Sequence, residues 1–185
     1  MTVSPSDPSG GTPPAVLRTA AALAEALEPV RAEDRIIGFV PTMGALHEGH
    51  LSLVRRARRD CGCVVASLFV NPTQFGPNED FERYPRDEAA DLAAFGANGV
   101  EYVYAPPLEE MYPNGPEITV TVSGVTEGLC GAARPGHFDG VTTVVSRLFE
   151  QCRPDVAYFG EKDFQQLKTI EKLVEQQGYG IRIIG

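Results

Sequence analysis

Two histidines three residues apart, His47 and His50, enclose Glu48 and Gly49 and lie between the apolar run 36–40 and an amphipathic stretch that begins at Leu51. With Pro41-Thr42-Met43-Gly44 between them, the order reads as strand, glycine-containing turn, helix. In a parallel α/β sheet such a junction puts backbone N–H groups and a helix N-terminus at the carboxyl edge of the strands, where anions bind. Imidazoles three apart on a first helical turn share a face and can donate to one phosphate, so a nucleotide is the expected ligand. A zinc ion held by the same pair, with Glu48 as base, is the rival reading. The helical zinc-hydrolase spacing is HExxH, however, with its histidines four apart. The third histidine of the sequence, His137, lies far along the chain. A purely structural histidine pair is the remaining alternative.

Three more stretches fall where strand ends should meet loops. Phe69-Val-Asn-Pro-Thr-Gln-Phe-Gly76 offers Asn71 and Gln74 as neutral hydrogen-bonding side chains, and Arg134-Pro-Gly-His-Phe-Asp-Gly140 carries His137. Phe159-Gly-Glu-Lys-Asp-Phe-Gln-Gln166 puts Lys162 and Asp163 at a helix start and Gln166 one turn in. Each has an ordinary structural reading: Asn-Pro and Pro-Gly initiate turns, Asp163 can cap a helix, and Lys162 can be a solvated cation. Four such stretches at four strand ends argue for a common ligand-binding edge.

The elements that must position them follow from periodicity. Apolar residues at helical spacing over 16–30 predict an opening helix, and short buried runs predict strands at 36–40, 64–70, 102–104, 156–159 and 181–184. Helical patterns at 48–59, 87–97, 139–152 and 163–177 separate these strands, so the expected fold is α/β with a doubly wound parallel sheet. Residues 117–122 alternate with period two and predict a half-exposed strand outside that sheet, whose cover a second subunit can provide.

Composition sets the boundaries. A chain of 185 residues with 43% apolar and 22% charged content suits one soluble domain, expected over 15–185 after a disordered tail at 1–14 rich in Pro, Ser, Gly and Thr. The net charge of −9 argues against a nucleic-acid partner, and the Arg55–Arg59 cluster reads as a solvated helix face. No run is long enough to span a membrane. The four cysteines show neither metal-ligand nor disulfide-scaffold spacing, which favours reduced thiols and a cytoplasmic setting.

The stretches PTMGALHEGHLSLV, SLFVNPTQFGPNEDFERYPR, RPGHFDGVTTVV and DVAYFGEKDFQQL together closely resemble the pantothenate synthetase family, ligases that join pantoate and β-alanine. They span most of residues 38–170 and are far more specific than the HxGH signature alone, which a whole nucleotidyltransferase superfamily shares. The resemblance implies a Rossmann-like domain that makes pantoyl adenylate from ATP and pantoate, releasing pyrophosphate, after which β-alanine displaces AMP. It implies ATP contacts from Met43, Gly44, His47, His50, Gly160, Lys162 and Asp163, with His47, His50 and Lys162 serving catalysis and the N–H groups near Met43 and Gly44 helping at the phosphates. Pantoate would be held by Gln74, Gln166 and Met43, and the β-alanine side would be Pro41, Asn71 and His137. Magnesium would travel with the ATP phosphates, since the run Asp87-Glu-Ala-Ala-Asp91 has alanines at two of its middle positions, and the assembly would be a homodimer.

Two other functions stay open at this point: a related nucleotidyltransferase acting on a phosphorylated acceptor, which the neutral Gln74 and Gln166 disfavour, and a binding domain without catalysis. The family continues past the strand at 181–184 into a phosphate-contacting loop and a lid domain, so the chain as it stands is expected to fold and keep some pantoate affinity but to bind ATP weakly and show almost no turnover.

Overall fold

The computed structural model describes residues 12–76, 81–124, 134 and 136–185. Of the expected tail, 1–11 lie outside these residues, as does Cys130, while Pro14 is buried, packed against Gly96.

In chain order the elements are β1 (Ala15–Leu17), α1 (Ala20–Ala32), β2 (Ile37–Thr42), α2 (Glu48–Asp60), β3 (Cys63–Leu68), α3 (Glu88–Ala97), β4 (Tyr102–Tyr104) and α4 (Leu108–Met111). Then follow α5 (His137–Cys152), β5 (Val156–Tyr158), α6 (Phe164–Gln177) and β6 (Arg182–Ile184), with single 3-10 turns at Pro72–Gln74 and Glu161–Asp163. The six strands form one parallel sheet in the order β1-β4-β3-β2-β5-β6. From β2 the chain steps outward through β3 to β4, then returns to build β5 and β6 on the other side. The reversal lies between β2 and β5, where Gly38 pairs with Val156 and Phe39 with Ala157.

Strand pleating sorts the core into two layers. Ile37 and Phe39 of β2, with Cys63 and Val65 of β3, face Leu23 and Leu27 of α1, Leu148 and Phe149 of α5, and Ile170 and Leu173 of α6. Their neighbours Val40, Val64 and Ala66 face Val54 and Ala57 of α2 and Phe95 of α3. Helices thus cover both faces, as expected of a doubly wound sheet. Cys61, Cys63 and Cys152 are buried free thiols, and burial pushes the Cys63 pKa up to about 12, which makes it a packing residue rather than a nucleophile.

Two expectations are corrected. The opening helix does not start at Val16: residues 15–17 form the edge strand β1 on β4, and the helix begins after Thr19, whose side chain accepts the Ala22 N–H at 3.1 Å. Helical spacing had absorbed two strand residues because a three-residue strand carries too few positions to show its own period. Residues 117–122 are not a strand: they have no ladder partner among the described residues. The Thr119 and Val120 N–H groups donate instead to Thr143 Oγ1 of α5 at 3.1 and 3.2 Å, and Thr142 Oγ1 donates to Val120 O at 2.7 Å. The period-two pattern survives only over 119–122, where Val120 is partly buried and Val122 buried between exposed Thr119 and Thr121, while Ile118, on the same parity, is exposed.

The first turns of α5 press on the 3-10 turn at Pro72–Gln74. A Cβ on Gly140 would lie 2.4 Å from Thr73 O and 2.7 Å from Gln74 N, both backbone atoms that cannot swing aside. Gly140→Ala is therefore expected to lower stability by about 1–3 kcal/mol, the usual cost of overpacking, in urea unfolding followed by circular dichroism.

Candidate active site

The turn after β2 is held from below and behind. Thr42 Oγ1 donates to Ser67 O at 2.7 Å and accepts the Gly44 N–H at 3.2 Å. Gly44 (φ +82°) and Ala45 (φ +51°) are both left-handed, and the next two amides, of Ala45 and Leu46, donate to the Asp91 carboxylate at 3.0 and 2.9 Å. For Gly44 the expectation of a phosphate-facing amide is corrected: its N–H is bonded to Thr42 Oγ1, and those of the two following residues serve a buried carboxylate, which demands such donors.

His47 is the N-cap of α2. Its Nδ1 accepts the Gly49 N–H at 3.0 Å, and His50 Nδ1 faces the His47 N–H at 3.4 Å, a capping box built from two imidazoles whose ring centres are 4.1 Å apart. A ring nitrogen that accepts carries no proton, so each neutral ring is left as an Nε2–H donor. Burial, followed by the neighbouring His47, lowers the pKa of His50, and Asp91 opposes this more weakly. His50 is thereby kept neutral at physiological pH.

Asn71, 1% exposed, organises the second loop. Its Nδ2 donates to Gln74 Oε1 and to Gly140 O, both at 3.1 Å, and its Oδ1 accepts from Tyr112 OH at 2.7 Å and Thr73 Oγ1 at 3.0 Å. Asn71 is thus saturated, while Gln74 keeps an Nε2–H directed at Met43 Sδ, 3.1 Å away and a weak acceptor. His137, the first residue of α5, bonds Gln74 O through Nδ1 at 2.8 Å. Arg134 donates to its Nε2 at 3.2 Å, which puts the ring proton on Nδ1, opposite to the histidine pair.

These loops meet at the strand reversal. Pro41, Met43, His50, Asn71, Gln74, Asp163 and Gln166 line a cavity of about 190 Å³ with an apolar wall that includes Val141, Val144 and Phe159. It adjoins a wider cleft of about 590 Å³ that shares Met43, Gln74, Asp163 and Gln166 and adds His137 and Lys162. Asp163 takes the N-cap position of α6 without a side-chain capping bond, and it is exposed. At Gly160 nothing stands within 4 Å of where a side chain would begin, which leaves its backbone open to close approach.

Of the expected site residues, Gly44, His47 and Gly160 line neither cavity: His47 caps α2 beside His50, and Gly44 packs on Asp91, where its Cβ would fall 2.7 Å from Oδ2. Three contributions were not anticipated: Tyr84, which lines both cavities, the aliphatic wall, and the clamp by Asp91. The clamp had a signal, because Asp91 shares the inner face of α3 with Phe95 four residues on, and a charge on an apolar face needs a partner. No group of three or more His, Cys, Asp or Glu side chains among the described residues could hold a metal. In the 87–91 run, Asp87 caps α3, Glu88 pairs with Arg18 at 2.6 Å and Asp91 clamps the turn, so these carboxylates do not fit a magnesium site.

The family profile described as pantoate-beta-alanine ligase matches residues 15–185. The chain belongs to that ligase family. Among curated relatives, the pantothenate synthetases of Rhodospirillum rubrum and Heliobacterium modesticaldum are 56% identical over 170 residues and 57% over 153, covering 92% and 83% of this chain. The same matches cover 60% and 54% of those proteins, so the chain spans about 60% of the length of its relatives. Among solved structures, pantothenate synthetase from Thermus thermophilus superposes with a TM-score of 0.86 at 50% identity, covering 92% of this chain and 60% of that one. The Francisella tularensis pantoate-beta-alanine ligase, complexed with beta-gamma ATP and beta-alanine, gives 0.86 at 35% identity, covering 92% of this chain and 66% of its own. The ligase fold is thus established for this chain, with the HxGH turn and the cleft on its β2–β5 edge.

Because burial holds His50 below the ordinary histidine value, the unfolded chain takes up the proton first as pH falls. NMR titration should show His50 protonating below about pH 6.5, and the associated stability should be complete above that value and decline as pH drops below it.

Proposed function

We propose that this chain is the nucleotide- and pantoate-binding part of an ATP-dependent ligase that joins pantoate to β-alanine through pantoyl adenylate. The observation that carries this reading is that His50, Gln74 and Gln166 line one small cavity with an aliphatic wall. Pantoate needs such a place: a carboxylate and two hydroxyls for the glutamine amides, and a gem-dimethyl carbon for Val141, Val144 and Phe159. A neutral pair suits the task, because a carboxylate there would repel the substrate anion and a lysine would retain the product.

The pantoate carboxylate is already a nucleophile at neutral pH, so the chain's task is positioning and charge stabilisation. A carboxylate oxygen bonds to the α-phosphorus as the bond to pyrophosphate breaks. The Nε2–H groups of His47 and His50 donate to phosphate oxygens, and Lys162 adds a mobile positive charge across the cleft. The open backbone at Gly160 and the uncommitted Asp163 carboxylate face the ribose. In the second step the β-alanine amine attacks the acyl carbon and AMP leaves. Pro41 and His137 flank that approach, and Asn71 acts by holding Gln74. Magnesium enters with the nucleotide phosphates, and no step is assigned to a magnesium held by the chain.

The same reading includes a homodimer and a cytoplasmic setting. Residues 117–122 bond to α5 through Thr142 and Thr143 and expose Ile118, and that apolar side chain is what a second subunit would cover. A monomeric mass in light scattering at tens of micromolar would count against this assembly.

Gln74→Ala is expected to weaken pantoate binding roughly tenfold, the worth of one hydrogen bond to a charged group, while leaving ATP binding nearly unchanged in calorimetric titration. Equal losses for both ligands, or no pantoate binding by the parent chain, would refute the assignment. His50→Ala should slow pantoate-dependent exchange between ATP and pyrophosphate by roughly 10² to 10³ in the full-length ligase, the usual loss for one transition-state donor.

A further inference from the structure

The clamp on the histidine turn comes from a helix, α3, that contributes no group to the lining of the small cavity. Asp91 is 6% exposed, and among the described residues it has no cationic partner. Taking a carboxylate out of water is unfavourable unless strong hydrogen bonds replace the lost hydration. Both its oxygens find those bonds in one place, Oδ2 at the Ala45 N–H and Oδ1 at the Leu46 N–H. A residue needed only for packing here would be apolar, as Phe95 is on the same face.

The turn it grips is one the backbone resists. Ala45 at φ +51° is a non-glycine residue in the left-handed region, where its Cβ crowds the backbone carbonyl, and it follows Gly44, also left-handed. Two charge-assisted bonds to consecutive amides offset that crowding and select this conformation over its neighbours. His47 follows immediately, extended at φ −135°, so its ring orientation and its cap to Gly49 inherit the setting of 44–46. Gly44 completes the fit, since any side chain there would collide with Asp91 Oδ2.

We propose that Asp91 is the positioning residue of the histidine pair: by clamping the Ala45 and Leu46 amides it sets the turn that holds His47 and His50 as Nε2–H donors toward the nucleotide. This rests on reading the pair as phosphate donors, and its test separates the two ideas. The probes are the imidazole nitrogen resonances of histidine-labelled chain at alkaline pH, where the rings are neutral, together with ATP affinity by calorimetry. In the parent chain His47 and His50 should each show an unprotonated Nδ1 and a protonated Nε2. In Asp91→Ala the two nitrogens of each ring should move toward a common averaged value, and ATP affinity should fall roughly tenfold. Asp91→Asn, which keeps one acceptor oxygen, should lie between. His137, anchored on Gln74 O and Arg134, should stay unchanged in both variants. If Asp91→Ala does not fold, the isosteric Asp91→Asn and Gly44→Ala carry the comparison. Unaltered His47 and His50 resonances in a folded variant would overturn the proposal, as would an equal disturbance of His137, which would mean general loosening. A parent chain that binds neither ATP nor pantoate yet shows Asp91-dependent histidine signals would refute the ligase reading and leave the clamp supported.

Discussion

Everything at the site depends on the reversal of strand order between β2 and β5. In a parallel sheet each crossover must travel over one face, and crossovers keep one hand, so stepping outward in opposite directions from β2 and β5 sends their helices to opposite faces. The two core layers record that division, with α2 and α3 in one and α1, α5 and α6 in the other. No connection bridges the gap between the carboxyl ends of β2 and β5. The turn bearing His47 and the turn bearing Lys162 therefore open away from each other, and the gap between them is the cleft.

The polar groups along that cleft divide into those that face it and those that hold the first set in place. Asn71, Thr42, Ser67 and Asp91 are all buried and satisfied within the chain. Gln166, Lys162, Asp163 and the Nε2 atoms of the histidine pair are the groups left over. This arrangement suits a site in which charge develops on a phosphate, because donors fixed before the ligand arrives need not reorganise when it reacts. It also accounts for the neutrality of His50. A charged imidazole would need Nδ1 to donate, and the bond from the His47 amide would be lost.

Much of this was legible in the sequence, for identifiable physical reasons. Strands β2 and β3 are continuous apolar runs because both their faces are covered, and His47-Glu-Gly-His50 announces itself because a helix start after a glycine turn has few other uses for two histidines. Edge strand β1 was not legible, since its three residues depend on pairing with Tyr102–Tyr104 far along the chain. Nor was the fate of 117–122: alternation reports which side chains turn inward but not whether the backbone finds a strand or, as here, two threonine hydroxyls of a helix. At the site, the residue types were readable and the division of labour was not. Asn71 and Gln74 look alike on paper, and only the count of bonds around each separates support from ligand-facing group.

The saturation of Asn71 has a consequence for motion. Its side chain joins Gln74 to Gly140 O and Tyr112, while His137 grips the Gln74 carbonyl, so the 3-10 turn and the start of α5 are tied by bonds that share members. Segments linked in this way open together rather than singly. A ligand drawn onto the Gln74 amide would then stiffen more than the atoms it touches, and amide hydrogen exchange would slow along the first turns of α5 as well as in the loop. The site is in this sense a cooperative unit, and its boundary runs through the helix that forms its wall.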